Sequence, residues 1–191
     1  MITIYIVEMN GATTEFKVYK DFLVYSSEFF NAAFNGNFAE ANSRSMTLHD
    51  TEAKTFGLLV SYIYVGELDN AGIITADDLL RLWILADRVL IPKLQNHVLR
   101  IIETLAEFEP SVDLLHHIYH RDHQYSLLRD FISEFFAMRQ CAVLADPEDL
   151  PKDMLAEIFV VARELLIKKG GKFTHRRLCK FLVEEEASSE L

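Results

Sequence analysis

FKVYKDFLVYSSEFFNAAFNGNFAE, residues 16–40, is the stretch whose reading decides the fold. From Thr14 to Tyr19 apolar and polar residues alternate, with Phe16 and Val18 on one face, which reads as the end of a half-buried strand. Ser26 and Ser27 then offer side-chain oxygens to the free amide groups of a helix start. Phe29, Phe30, Ala33 and Phe34 follow at helical spacing, and Asn35-Gly36 is suited to end the helix in a left-handed conformation. Phenylalanines so closely spaced require burial, so Phe29, Phe30 and Phe34 are expected in the core.

Upstream, Thr3 to Glu8 reads as a strand, and Asn10-Gly11 is a two-residue hairpin signal leading into the strand that ends at Tyr19. The first strand is expected at the edge of its sheet, where a strand from another molecule would find free pairing groups. Downstream, Ala41 to Arg44 reads as a polar loop, and Ser45 to His49 as a short third strand. Asp50 or Thr51 is placed to cap the next helix.

Phe56, Leu59, Val60 and Ile63 form an apolar stripe ending at Gly66, and Glu67 to Ile74 reads as loop. Thr75 and Asp78 have the spacing of a capping box. Beyond them Leu79, Leu80, Leu82, Trp83, Ile84, Leu85, Val89 and Leu90 surround a helix expected to be the most enclosed of all, with Leu82 and Leu85 in its core. Pro92 opens another helix at the tolerated first turn, and Glu109-Pro110 breaks the pattern. Further helices are expected at about Val112 to Tyr119, Tyr125 to Met138 and Asp153 to Ile167, the last ending at Gly170-Gly171. Strands gather in the first third and helices fill the rest, an α+β pattern with helices packed on a small sheet.

The spaced blocks carry a resemblance. The pattern F-x-V-[aromatic]-K-x-x-L-x-x-x-S-x-x-F-x-x-A-F-x-G-x-F-x-E, Phe16 to Glu40, is similar to the BTB/POZ domain. Its continuation is similar too: Met46-Thr47-Leu48 with Asp50, Tyr62-Ile63-Tyr64-Val65-Gly66, Leu85-Ala86-Asp87-Arg88 and Ile91-Pro92-Lys93-Leu94-Gln95-Asn96. The run LADRVLIPKLQN looks like the small BTB proteins of filamentous fungi. The resemblance implies a BTB fold over residues 1–108; beyond it the residues read as a helical extension over 109–183 and an acidic disordered tail over 184–191. The resemblance also implies a non-enzymatic protein–protein interaction module.

In many members that role means self-association or docking to the cullin-3 scaffold of a ubiquitin ligase. Phe38-Ala39-Glu40 fits the hydrophobic-x-Glu pattern such adaptors present after the central helix, which makes Phe38 and Glu40 the candidate partner-binding residues. The competing reading has Phe38 closing the core and Glu40 capping locally. Tyr19 stands where most members have His. The chain begins in its first strand, without the N-terminal helix that long-form BTB domains exchange, which argues against a homodimer of that kind and toward the short form of elongin C and the Skp-type adaptors. A substrate-recruiting surface is then expected after Pro110. The alternative is a BTB scaffold or transcription-related regulator with no cullin contact.

Composition limits the other function classes. Half the residues are apolar and a quarter charged, which suits a folded chain, and the net charge of −10 opposes general nucleic-acid binding. Two cysteines in separate segments, Cys141 and Cys179, suit a reducing compartment, and no apolar run reaches the ~18 residues of a membrane span. With no signal-peptide pattern, a cytoplasmic or nuclear location is expected. The catalytic motifs GxGxxG, GxSxG, HExxH and the P-loop are absent, so no enzyme activity and no cofactor are expected.

Three other features have a bland reading beside the functional one. His116, His120 and His123 could share a helix face as metal ligands, but a solvated face is the simpler reading and no metal is expected. Cys141 among Ala142, Val143 and Leu144 reads as an inert buried thiol rather than a nucleophile. Lys168, Lys169, Lys172, Arg176, Arg177 and Lys180 either meet an acidic partner or balance Glu184-Glu185-Glu186. Phe173, Phe181 and Leu182 suit a core or a docking face equally.

Overall fold

A computed structural model describes residues 1–68, 74–105, 107–120, 125–138, 146–167 and Val183. Cys141, Cys179, His123, the basic segment from Lys168 to Lys180, Gly170-Gly171 and the acidic tail lie outside the described residues. Two compact units are present. The first takes Met1–Val98 together with Val183, and the second begins at Leu99.

The first unit opens with strands β1 (Ile2–Val7) and β2 (Thr13–Val18), paired antiparallel with Ile2 opposite Val18 and Val7 opposite Thr13. Alternation decides the faces: Ile2, Ile4 and Ile6 are buried while Tyr5 points to solvent. The turn needs Gly11 at φ 84, and the Asn10 side chain accepts from the Ala12 amide at 2.8 Å. Strand β3 (Ser45–His49) joins the other side of β1 in parallel, Thr3 opposite Ser45, giving the order β2-β1-β3. The first strand is therefore the centre of the sheet and not its edge. An alternating apolar pattern specifies a buried face but not a strand's neighbours.

Between β2 and β3 lie three short helices, α1 (Lys20–Ser26), α2 (Glu28–Asn35) and α3 (Ala39–Ser43). Helix α4 (Ala53–Val65) starts after Glu52 rather than under an Asp50 or Thr51 cap; its first amide, Ala53 N–H, is satisfied by Glu8 from the end of β1 at 3.0 Å. Asp50 instead takes a left-handed turn at φ 53, and Thr51 Oγ1 donates to the His49 carbonyl. Gly66, at φ 84, ends α4 in the left-handed conformation that glycine adopts without strain.

Helix α5 (Ala76–Arg88) begins with the full Thr75–Asp78 capping box. Asp78 also pairs with Lys54 of α4 at 2.6 Å. Burial raises the pKa of its carboxyl, but hydrogen bonds from Lys54 and Thr75 outweigh this and leave it below the ordinary value. Leu79, Leu80, Leu82, Trp83 and Leu85 are buried, whereas Leu90 is exposed at φ 54, beyond the end of the helix. Helix α6 (Pro92–Thr104) follows, and the boundary between the units falls within it.

The second unit contains α7 (Val112–His120), α8 (Ser126–Met138), a single 3-10 turn at Pro147–Asp149 and α9 (Lys152–Ile167). Phe108 packs edge-on against Phe135 at 5.1 Å. Helix α8, not α5, is the most enclosed of the described helices, because its buried face includes Arg129, Ser133 and Glu134 as well as apolar residues. Polar partners make this possible: Arg129 bonds Glu157 of α9 at 2.5 Å, Ser133 donates to the same carboxylate at 3.1 Å, and the Tyr119 hydroxyl lies 2.8 Å from Ser133 Oγ. The Arg129 guanidinium also lies 4.8 Å from the centre of the Tyr119 ring. Burial pushes the Tyr119 hydroxyl well above its ordinary pKa.

Candidate protein interface

The site begins at the start of α2. Ser27 is buried; its hydroxyl accepts from the Phe30 amide at 3.1 Å and donates to the Val89 carbonyl at 2.5 Å, tying the start of α2 to the end of α5. Phe30 and Phe34 are buried and stack at 6.4 Å. Phe29 is only half-buried and meets Phe30 edge-on at 5.3 Å. One residue earlier on a helix points about 100° away, so Phe29 does not share the inward direction of Phe30. Leu82 and Leu85, from α5, are also buried.

The far end of α2 is held by Lys20, whose Nζ donates to the Phe34 carbonyl at 2.9 Å. Gly36 ends the helix at φ −82, not in the left-handed region. Its need for glycine is spatial, since a Cβ there would lie 2.3 Å from the Ala32 carbonyl oxygen. The chain thereby turns tightly off α2 and carries Phe38 outward.

Phe38 is the N-cap of α3 and is 59% exposed. The core-closing reading of Phe38 does not match this position. Ala39 is exposed as well, and Glu40 sits half-buried in the first turn of α3, where a carboxylate suits the free amides. The expected polar loop at Ala41 to Arg44 is thus the body of a helix. Arg44 closes it in a left-handed turn at φ 53 with its amide on the Glu40 carbonyl, and the Arg44 carbonyl accepts from Thr3 of β1 at 3.0 Å. Phe38 and Glu40 are presented on a short helix fixed at one end by the Gly36 turn and at the other by the central strand.

A second exposed group was not anticipated from the sequence. Phe22 of α1 stacks on Tyr64 of α4 at 4.6 Å, Tyr19 lies 6.5 Å from Phe22, and the Tyr19 amide donates to the Tyr64 hydroxyl. Tyr25 at 86% exposure and Val65 at 70% add apolar surface on the same two helices. The signal was present in the aromatic spacing of residues 19–25, but it becomes meaningful only once α1 is seen as a helix.

Of the histidines, His116 bonds the Asp149 carbonyl oxygen at 2.8 Å. Among the described residues, no group of three or more His, Cys, Asp or Glu is arranged to hold a metal ion, and no helix is long and apolar enough to cross a membrane.

No curated protein matches the chain. Among solved structures, the BTB domain of zebrafish PATZ1 is similar, with 15% sequence identity and a TM-score of 0.40, over 53% of this chain and 75% of that one. The BTB/POZ domain family matches residues 2–105, more than half of the chain. On that match, the chain belongs to the BTB/POZ domain family.

Proposed function

We propose that this BTB protein is a non-enzymatic adaptor that links a partner to a cullin-3 ubiquitin ligase, with Phe38 and Glu40 at the cullin contact. BTB domains mediate protein–protein interaction and self-association, and the finer assignment builds on that. The observation that carries it is Phe38, a large apolar side chain 59% exposed on a helix anchored at both ends. An exposed ring beside a carboxylate suits an interface with an apolar anchor and a polar rim. In this reading the helices after Pro110 recruit the partner, the protein acts in the cytoplasm or nucleus, and its kin are the small fungal BTB proteins.

Light scattering behind size-exclusion chromatography tests the adaptor role, with the protein run alone and then mixed with a cullin-3 N-terminal domain. Co-elution that is lost in Phe38→Ala, at an unchanged melting temperature, supports the reading. A wild-type protein that elutes apart from the cullin overturns it. The second reading, a self-associating scaffold without cullin contact, is favoured by the exposed group of Tyr19, Phe22, Tyr25 and Tyr64. It requires a dimer or larger species in the protein-only run.

A further inference from the structure

Asn96 lies on α6 and is 1% exposed. Its carboxamide meets one residue twice: Nδ2 donates to the Val183 carbonyl at 2.7 Å, and Oδ1 accepts from the Val183 amide at 2.6 Å. A side-chain amide carries the same donor and acceptor as a peptide group, so this exchange reproduces the paired bonds of a hydrogen-bonded antiparallel pair. Such a contact reads the main chain and is indifferent to the side chain. A buried donor and acceptor left unmade carry the full desolvation penalty of both groups. The Asn96 amide therefore strongly favours an extended backbone at that position.

We infer that Asn96 is a main-chain binding site whose ligand is an extended peptide segment, occupied in this molecule by Val183 of the same chain. The occupant is set by topology. The chain leaves the first unit after Val98 and re-enters it at Val183, so the contact joins residues 87 apart and returns the polypeptide to a point two residues before its exit. Val183 is thereby held in the first unit by a non-covalent clasp on its main chain.

Cleavage of the full chain by a glutamate-specific protease after Glu184 provides the test. The protease must draw Val183 into its own cleft, which the clasp opposes. Asn96→Asp, which loses the donor and sets a carboxylate against the Val183 carbonyl, is expected to speed this cleavage by roughly tenfold or more. Val183→Pro, which removes the amide donor without touching the buried helix, is expected to do the same. Val183→Ala, which keeps both main-chain groups, is expected to cleave at the wild-type rate. Should Asn96→Asp not fold, the contrast between Val183→Pro and Val183→Ala decides alone. Equal rates for wild type, Asn96→Asp and Val183→Pro overturn the inference. So does a Val183→Ala chain cut as fast as Val183→Pro, because side-chain packing would then be the hold.

Discussion

Helices α2 and α8 each turn a face into the core of their unit, but they meet the demands of burial in opposite ways. The inward face of α2 is dry, made of Phe30, Ala33 and Phe34, and its polar needs are met at its ends by Ser27 and Lys20. The inward face of α8 carries Arg129, Ser133 and Glu134 in mid-helix, and part of it is satisfied only by side chains of α7 and α9. A dry core loses stability in proportion to the volume removed. A polar core fails by pairs, because one missing partner leaves the other buried and unmet. The contrast suits the proposed roles: the first unit supplies a stiff base for Phe38, and the second a layer whose stability depends on specific partners.

The largest test of the contrast is Phe30→Ala, expected to cost about 3–5 kcal/mol in urea unfolding through the cavity it leaves. A near-normal melt would remove α2 from the core. Next comes Glu157→Ala, which strands the 10%-exposed Arg129 side chain and should cost about 2–3 kcal/mol. Combining Arg129→Met with Glu157→Leu should cost less than Glu157→Ala alone, since no charge is then left unpaired. If the double variant is the worse of the two, the polar layer is not governed by pairing. Gly36→Ala is expected to cost about 1–3 kcal/mol, because the Cβ would push on the Ala32 carbonyl and shift the turn that presents Phe38.

The smallest effects lie in pH dependence, and they have opposite signs in the two units. Asp78 has a depressed pKa in the fold, so its ionised form stabilises the protein above the ordinary value of 3.8, and that contribution fades as pH falls through the lower folded value. Asp78→Asn should therefore destabilise by roughly 0.2–1 kcal/mol at pH 7, given the half-exposed Lys54, and differ little from wild type in strong acid. Asp130 is raised, first by partial desolvation and then by Glu157, against a smaller opposing pull from Arg129. Its ionised form costs stability at neutral pH, a cost that disappears as pH falls through the raised value toward 3.8. Asp130→Asn should thus raise the melting temperature slightly at pH 7 and leave it unchanged near pH 3.

Features written in local spacing were legible in the sequence. The Thr75–Asp78 box, the Gly66 stop and the Phe56–Leu59 face of α4 each depend on residues within a turn or two of each other. Features that depend on partners distant in the chain were not. Glu8 gave no sign that it would cap α4, 45 residues away, and Arg129 and Glu134 disguised α8 as less buried than α5. Helix α1 escaped because FLVYS is rich in β-branched and aromatic residues, and packing overrides that propensity. At the candidate site, Phe38 and Glu40 were singled out by pattern. Their helix and the exposed ring of Phe38 could not be read from a tripeptide that suits either a core or a surface.

The central place of β1 gives the sheet a schedule. Its hairpin with β2 needs only the turn at Asn10-Gly11 and can close as soon as residue 18 exists. Its parallel pairing with β3 waits for Ser45–His49, and the intervening chain must by then have compacted into α1, α2 and α3 for the ends to meet. A nascent chain emerging from a ribosome therefore carries only the β1–β2 hairpin until β3 is out, with one flank of β1 unpaired and open to misassembly. The arrival of the Arg44 carbonyl at Thr3 ends that interval.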